Sequence, residues 1–278
     1  MCCLSARRCS IGLTRRPDLR KPTAMPDSGP EFTVRIASGP AELRAAQRLR
    51  YDVFVDELGG DGAGVDHDAR LERDDFDPYV DHLLLSDAAR GAVVGVYRLM
   101  RQEQANDAGR FYTEGEYDLT PLKSCGKRLL ELGRSCLHPD YRGGMAMYHM
   151  WNGLADYVAA HDIQILFGVA SFHGTDVAAL AHPLSLLHHT HLAPANLRPR
   201  ALAPHYQAMN LIAPDQIDRK RAMVETPALI KAYLRLGGVV GDGAFVDRAF
   251  NTTDVCLVLD TETMNARHKR RYAGTLAR

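Results

Sequence analysis

Short alternating runs and stretches of helical spacing succeed one another along the chain, and their order predicts an α/β fold. FTVRIA (32–37) alternates apolar and polar positions as a strand does. Behind Pro40, PAELRAAQRLRYDVFVDEL (40–58) sets Leu43, Ala46, Leu49, Val53 and Phe54 at helical spacing, which predicts one helix. GGDGAGVDHD (59–68) reads as a Gly/Asp loop, and HLLLSDAARGAVVGVYRLMR (82–101) as two strands about a turn at Ala89-Arg90-Gly91. LLELGRSCL (129–137), the run from Met145 to His161 and IQILFGVASF (163–172) predict strand, helix and strand, a βαβ unit.

The His- and Pro-rich part after residue 173 shows no clear period until TPALIKAYLRLGG (226–238), a helix with a glycine stop, and TTDVCLVLD (252–260), a strand. No internal repeat is visible. The expected organisation is one mixed α/β domain over residues 31–265, with a C-terminal elaboration from about residue 175.

The charge balance, 34 basic against 34 acidic side chains in 278 residues, supplies no overall field for nucleic acid and excludes it as an expected partner. The termini differ. Residues 1–25 carry six Lys/Arg against a single Asp and lack the apolar core of a signal peptide. Residues 1–30 therefore read as a disordered basic extension, with Met25 as an alternative start, and 266–278 as a basic tail. Cysteines at 2, 3, 9, 125, 136 and 256 show no C-x-x-C spacing, which fits a reducing cytoplasm. No stretch approaches the roughly 20 apolar residues of a membrane span, so the expectation is a cytoplasmic protein with at most peripheral contact with the inner membrane.

Charges inside apolar runs carry the chemical signal, because an unpaired charge there is costly. They are Arg50, Asp74 with Asp77, Arg98, and Glu131 with Arg134. Two readings stand: paired ions that tie strands together, or a charged pocket for a small zwitterion. Strand alternation puts Glu131 and Arg134 on opposite faces, so both line one pocket only if the strand carries a bulge. A bulge is predicted.

The strand runs into LHPDYRGGMAM (137–147), which is similar to the R-x-x-G-x-G/A loop of acetyl-CoA-dependent N-acyltransferases. Counting from Arg142, however, Met145 and Met147 stand where that loop has its glycines. Further motifs sharpen the likeness. R-x-x-x-F (Arg50 to Phe54), E-x-D-x-F-D (Glu72 to Asp77), G-x-x-R-L (Gly95 to Leu99) and E-L-x-R-x-C-x-x-P (Glu131 to Pro139) resemble, in order, those of acyl-homoserine-lactone synthases. The body from about 32 to 260, including ASFHGTD (170–176) and HPLSLLHHTHLAP (182–194), resembles the bacterial L-ornithine Nα-acyltransferases of ornithine-lipid synthesis.

That resemblance implies a GNAT-like mixed central sheet flanked by helices. It also implies transfer of a 3-hydroxyacyl chain from acyl carrier protein to the α-amine of L-ornithine, giving lyso-ornithine lipid. The 4'-phosphopantetheine would enter on the carrier, with no cofactor or metal bound by the chain. Deprotonation of the attacking amine needs a base, for which Glu131 is the first candidate. The amides of Arg134, Ser135 and Cys136 are candidate oxyanion donors. Arg50, Phe54, Asp74, Asp77 and Arg98 are expected to bind substrate, the two Asp taking amines and Arg98 or Arg134 the carboxylate. An acidic carrier calls for a basic mouth, assigned to Lys123, Lys127, Arg128 and Arg142, with Arg219, Lys220 and Arg221 as a second patch.

Other readings remain beside these. Cys136 is a possible nucleophile or a buried strand cysteine. Tyr141 or Tyr148 could protonate the leaving thiolate or simply pack. His182, His188, His189 and His191 raise a metal site, but their spacing matches no zinc motif. An acyl-homoserine-lactone synthase and a non-catalytic binder of acyl chains or carrier protein are the competing functions.

Overall fold

A computed structural model of the chain describes residues 29–264. The basic extension, apart from Gly29 and Pro30, and the basic tail lie outside the described residues, as do Met25 and the three leader cysteines.

Among the described residues nine strands form the main sheet: β1 (Phe32–Ile36), β2 (Asp81–Asp87), β3 (Ala92–Arg101), β4 (Leu129–Leu137), β5 (Ile165–His173), β6 (Tyr206–Gln207), β7 (Val239–Val240), β8 (Ala244–Asp247) and β9 (Thr252–Asp260). Their order is β1-β2-β3-β4-β5-β9-β8-β6, with β7 also paired to β9. The β4–β5 pair is parallel and its neighbours are antiparallel. A mixed sheet is thus present, as expected. The last strand is no appendage, because β9 pairs with β5 from Thr252↔His173 to Asp260↔Ile165 and completes the centre of the sheet.

Helices α1 (Pro40–Arg50), α2 (Ala146–Ala160), α3 (Ala181–His191), α4 (Arg219–Glu225) and α5 (Ala228–Arg235) supply the flanking layers. Strand alternation divides the core between the two faces. Leu83, Leu85 and Leu130 pack with Met150 and Leu154 of α2 and Ile230 of α5. Leu84, Val96 and Cys136 face the other way, against Ala46 and Leu49 of α1. Each fully buried leucine here is worth roughly 1.5–3 kcal/mol.

Regular geometry breaks at two places near the centre of the fold. The predicted helix over 40–58 is α-helical only to Arg50 and then widens into a π-helix, Tyr51–Glu57. Val53 and Val55 stay buried while Phe54 is only half-buried. No Gly or Pro marks the change, so the apolar spacing could not reveal it. The second break is in the β4–β5 pairing, which covers only Leu129–Glu131 against Ile165–Phe167. Beyond Glu131 the two strands part.

Candidate active site

The splay between β4 and β5 opens a cavity of about 450 Å3 through the sheet. On one side it meets Tyr97, Leu166, Leu229, Tyr233, Leu257 and Leu259, an apolar chamber beneath α5. On the other it meets Glu72, Arg98, Glu131, Arg134 and Tyr112. The predicted bulge lies between them. Val96 pairs with Cys136 and Arg98 with Gly133, so Arg134 and Ser135 together oppose Tyr97. Arg134 takes a positive φ of 49°. The extra residue reverses the parity of the strand and lets Glu131 and Arg134 line the same cavity.

Three arginines and three acids form a buried network behind this wall. Arg50 donates to Glu72 and, at 2.7 Å, to Asp77 Oδ1, whose Oδ2 accepts from Gln47 at 2.9 Å. Arg98 Nη1 lies 2.6 Å from both Asp74 oxygens and 3.3 Å from Asp77 Oδ1. Arg134 donates to Glu72 at 3.0 Å and to Asp74 at 3.1 Å. Matched charges permit this burial. Arg50 holds Asp77 down to about 2, with help from Gln47 and Arg98 and against the effect of burial. Arg134 and Arg98 also stack on the Tyr112 ring, at 4.6 and 5.1 Å from its centroid.

Glu131 is 4% exposed, and its two oxygens accept from the Tyr112 and Thr113 amides at 2.9 and 2.6 Å. Burial raises its carboxyl above the ordinary range against the pull of those amides. Among the described residues Arg98 Nη2 is buried without a hydrogen-bond partner, an open donor beside the cavity.

Several sequence expectations need correction. Arg50, Asp74 and Asp77 do not line the cavity. The two Asp side chains are engaged by Arg50, Arg98, Arg134 and Gln47, and have no place for a substrate amine. Phe54, Arg98, Glu131, Arg134 and Ser135 do line it. The Cys136 side chain does not, and burial pushes its thiol up to about 12, the wrong direction for a nucleophile. Tyr141 donates to Asp87 at 2.7 Å, and neither it nor Tyr148 reaches the cavity.

The basic residues also fall elsewhere than expected. Lys127 and Arg128 precede the paired start of β4, at the closed end of the splay, where Lys127 contacts Asp260 and Glu262 at 2.6 and 2.9 Å. Arg128 faces Asp162 at 3.4 Å, and Lys123 pairs with Glu114 at 2.6 Å. Arg142 follows the open end of β4 and is paired with Glu57. In the second patch Arg221 pairs with Glu225 at 2.7 Å.

Two of the α3 histidines make structural bonds: His182 accepts from the Asp218 amide at 3.2 Å, and His189 faces the Ile212 carbonyl at 3.2 Å. Among the described residues no group of three or more His, Cys, Asp or Glu could hold a metal.

Among the cavity residues that escaped the sequence reading are the acids Glu116 and Asp254. Asp254 carries the signal that singled out Glu131, an acid inside an apolar strand. Glu116 sits in the polar run TEGEYD, which gives no sign of burial. Tyr117 explains it: its hydroxyl donates to the Asp254 and Gly243 carbonyls at 2.8 and 3.1 Å and pins the segment under β9.

The acetyltransferase (GNAT) domain family matches residues 49–152. An L-ornithine N(alpha)-acyltransferase of Rhodobacter capsulatus is 60% identical over 87% of this chain and 94% of its own. The Brucella abortus protein of that name is 43% identical over 87% and 88%. Among solved structures, the AHL synthase LasI aligns at a TM-score of 0.48 and 17% identity, over 88% of this chain and 96% of its own. The chain is GNAT-like, and it belongs to the L-ornithine N(alpha)-acyltransferase family.

Proposed function

We propose that this protein transfers a 3-hydroxyacyl chain from the phosphopantetheine thiol of acyl carrier protein to the α-amine of L-ornithine, releasing lyso-ornithine lipid. The observation that carries the reading is one cavity passing through the sheet at the β4–β5 splay, apolar on one face and charged on the other. Such a passage suits an acyl chain on one side and a zwitterionic acceptor on the other, with the thioester between them.

Glu131 takes a proton from the α-ammonium, directly or through one water, and its raised carboxyl suits the task. The amine nitrogen then bonds to the thioester carbonyl carbon. The bulged backbone at Arg134 and Ser135, freed from regular pairing, offers N–H donors to the oxyanion. Collapse breaks the C–S bond. Tyr97 faces the bulge from β3, shares a 2.8 Å hydroxyl contact with Tyr233 and is kept protonated by burial; it gives its proton to the thiolate and regains one from the attacking nitrogen, which leaves a neutral amide, while the proton on Glu131 passes to solvent. Arg98 Nη2 receives the acceptor's carboxylate.

A carrier-bound donor fits the loop after β4. Met145 caps α2 where a CoA-binding loop has glycine, and its side chain is exposed. A pyrophosphate needs close backbone approach, which the single phosphate of phosphopantetheine does not. In this reading Arg142 meets the acidic carrier. Among the described residues no helix is long and apolar enough to cross a membrane, and the reading places the protein in the cytoplasm, delivering product to the inner-membrane surface.

The test incubates the full chain with ornithine and either 3-hydroxyacyl carrier protein or 3-hydroxyacyl-CoA, and reads products by mass. N-acyl-ornithine from the carrier is expected, with Glu131→Gln lowering turnover roughly 10²- to 10⁴-fold. A lactone product, or equal use of acetyl-CoA, would refute the reading.

A further inference from the structure

Five carboxyl side chains line the cavity against the guanidiniums of Arg98 and Arg134. Three of the five are already committed. Glu72 binds Arg50 and Arg134, Glu131 accepts two amides, and Asp247 Oδ1 caps a turn by accepting from Ala249 and Phe250 at 2.8 and 3.1 Å. Glu116 and Asp254 remain. They are 8% and 4% exposed, and among the described residues Glu116 Oε2 and Asp254 Oδ1 are both buried without a hydrogen-bond partner.

Two unsatisfied acid oxygens in one cavity are costly unless a ligand supplies donors and positive charge. We propose that Glu116 and Asp254 bind the side-chain ammonium of the acceptor and so select a diamino acid. This rests on the acyl-transfer reading above and adds to it the determinant of acceptor choice.

The position fits the second nitrogen rather than the first. Asp254 pairs with Ser171 on β5, four residues past the last β4–β5 pair and so across the splay from the bulge. One paired spacing of about 4.8 Å beyond a β5 that has already splayed from β4 puts the Asp254 backbone at least about 10 Å from the bulge. In extended ornithine five bonds separate the two nitrogens, about 6 Å. A hydrogen bond of about 2.8 Å together with the acid's own side chain spans the remainder. The α-amine then stands at the bulge beside Glu131, the carboxylate meets Arg98 Nη2, and the side-chain ammonium reaches the acid pair. An ammonium has three donors, enough for both open oxygens. Asp254 Oδ2 accepts from Thr252 at 3.1 Å, and the backbone carbonyl of Glu116 accepts from Leu202 N at 2.8 Å, which fixes the segment.

The experiment compares L-ornithine with L-norvaline, which keeps the carbon chain and lacks the side-chain amine, using 3-hydroxyacyl carrier protein as donor. Wild type, Glu116→Gln and Asp254→Asn are each assayed for kcat/KM with both acceptors. The expected result is an ornithine preference that falls about ten- to a hundredfold in each variant, chiefly through the ornithine KM. Norvaline is the internal reference for folding. Equal loss with both acceptors, or a wild type that uses norvaline as well as ornithine, overturns the proposal. If no amino acid is acylated, the acyl-transfer reading fails, and calorimetric titration of ornithine and norvaline into donor-free protein decides the binding question separately. Ornithine heat lost in the variants then supports the acid pair, and its absence from wild type refutes it.

Discussion

Gly168 of β5 passes so close to Leu132 of β4 that a Cβ on the glycine would stand 2.1 Å from the Leu132 carbonyl oxygen. This contact comes directly after the last parallel pair, Glu131↔Phe167, and so sits at the apex of the splay. A methyl there has to force two backbones apart. Gly168→Ala is expected to cost about 1–3 kcal/mol, by overpacking, and to displace the Glu131 side of the cavity. A shift of about 1 Å at the site lowers turnover roughly a hundredfold. Thermal melts and steady-state rates check this; an unchanged rate would mean that the apex does not set the site geometry.

Arg50 makes a different kind of support. It is fully buried and bridges Glu72 to Asp77, yet it never touches the cavity. Removing it leaves two buried carboxylates short of a partner, for which about 3–5 kcal/mol is the usual cost. Arg50→Ala should show that loss in the urea midpoint. Arg50→Lys should lie between, because one ammonium cannot reproduce the fork that reaches both acids. A loss below about 1 kcal/mol in Arg50→Ala would place the stabilisation elsewhere in the network.

Cys136 provides a negative test. Its thiol is buried, points away from the cavity into the cluster around Val96 and Leu84, and is shifted up to about 12. Replacing its side chain in Cys136→Ala should cost about 1 kcal/mol and leave acyl transfer in place, and no acyl-cysteine should accumulate in a single-turnover mass measurement. A trapped thioester on Cys136 would reinstate a two-step route.

The sequence disclosed the strand half of this site more fully than its loop half. Glu131 and Arg134 announce themselves because each interrupts an apolar strand, and their odd separation required the bulge that the backbone contains. Asp254 interrupts β9 in the same way and was legible by the same rule. The partners were not. Tyr112 and Thr113 belong to a short 3-10 turn, Tyr112–Gly115, inside a polar stretch with no period, and their amides reach Glu131 through tertiary packing alone. The fates of Asp74 and Asp77 were hidden for a related reason. Sequence shows an acid but not how many guanidiniums will converge on it, and three arginines from α1, β3 and β4 converge here. Lys127 and Arg128 misled because nearness in sequence to Glu131 is distance along an extended strand, toward the closed end.

The acid pair predicts a stability profile opposite to that of the ion network. Burial raises Asp254 to about 6, repulsion from Asp247 adds to it, and hydrogen bonds from Ser171 and Thr252 oppose it. Its unfolded value is about 3.9, so between those two values the folded chain binds more protons than the unfolded one. Stability contributed by protonated Asp254 is therefore lost as pH rises from about 4 to about 6, on the order of 3 kcal/mol in total. Asp254→Asn does not titrate and escapes the loss. Denaturation midpoints of wild type and Asp254→Asn should nearly coincide at about pH 4 and separate above about pH 6, with the variant more stable. The network acids behave in the reverse sense: Asp77, held to about 2, stabilises at neutral pH and loses that contribution only in strong acid, in both proteins alike. Saturating ornithine at neutral pH should narrow the gap by stabilising wild type more than the variant, because a bound ammonium offsets the charge that burial disfavours. A gap independent of both pH and ornithine would show that Asp254 titrates as an ordinary surface acid.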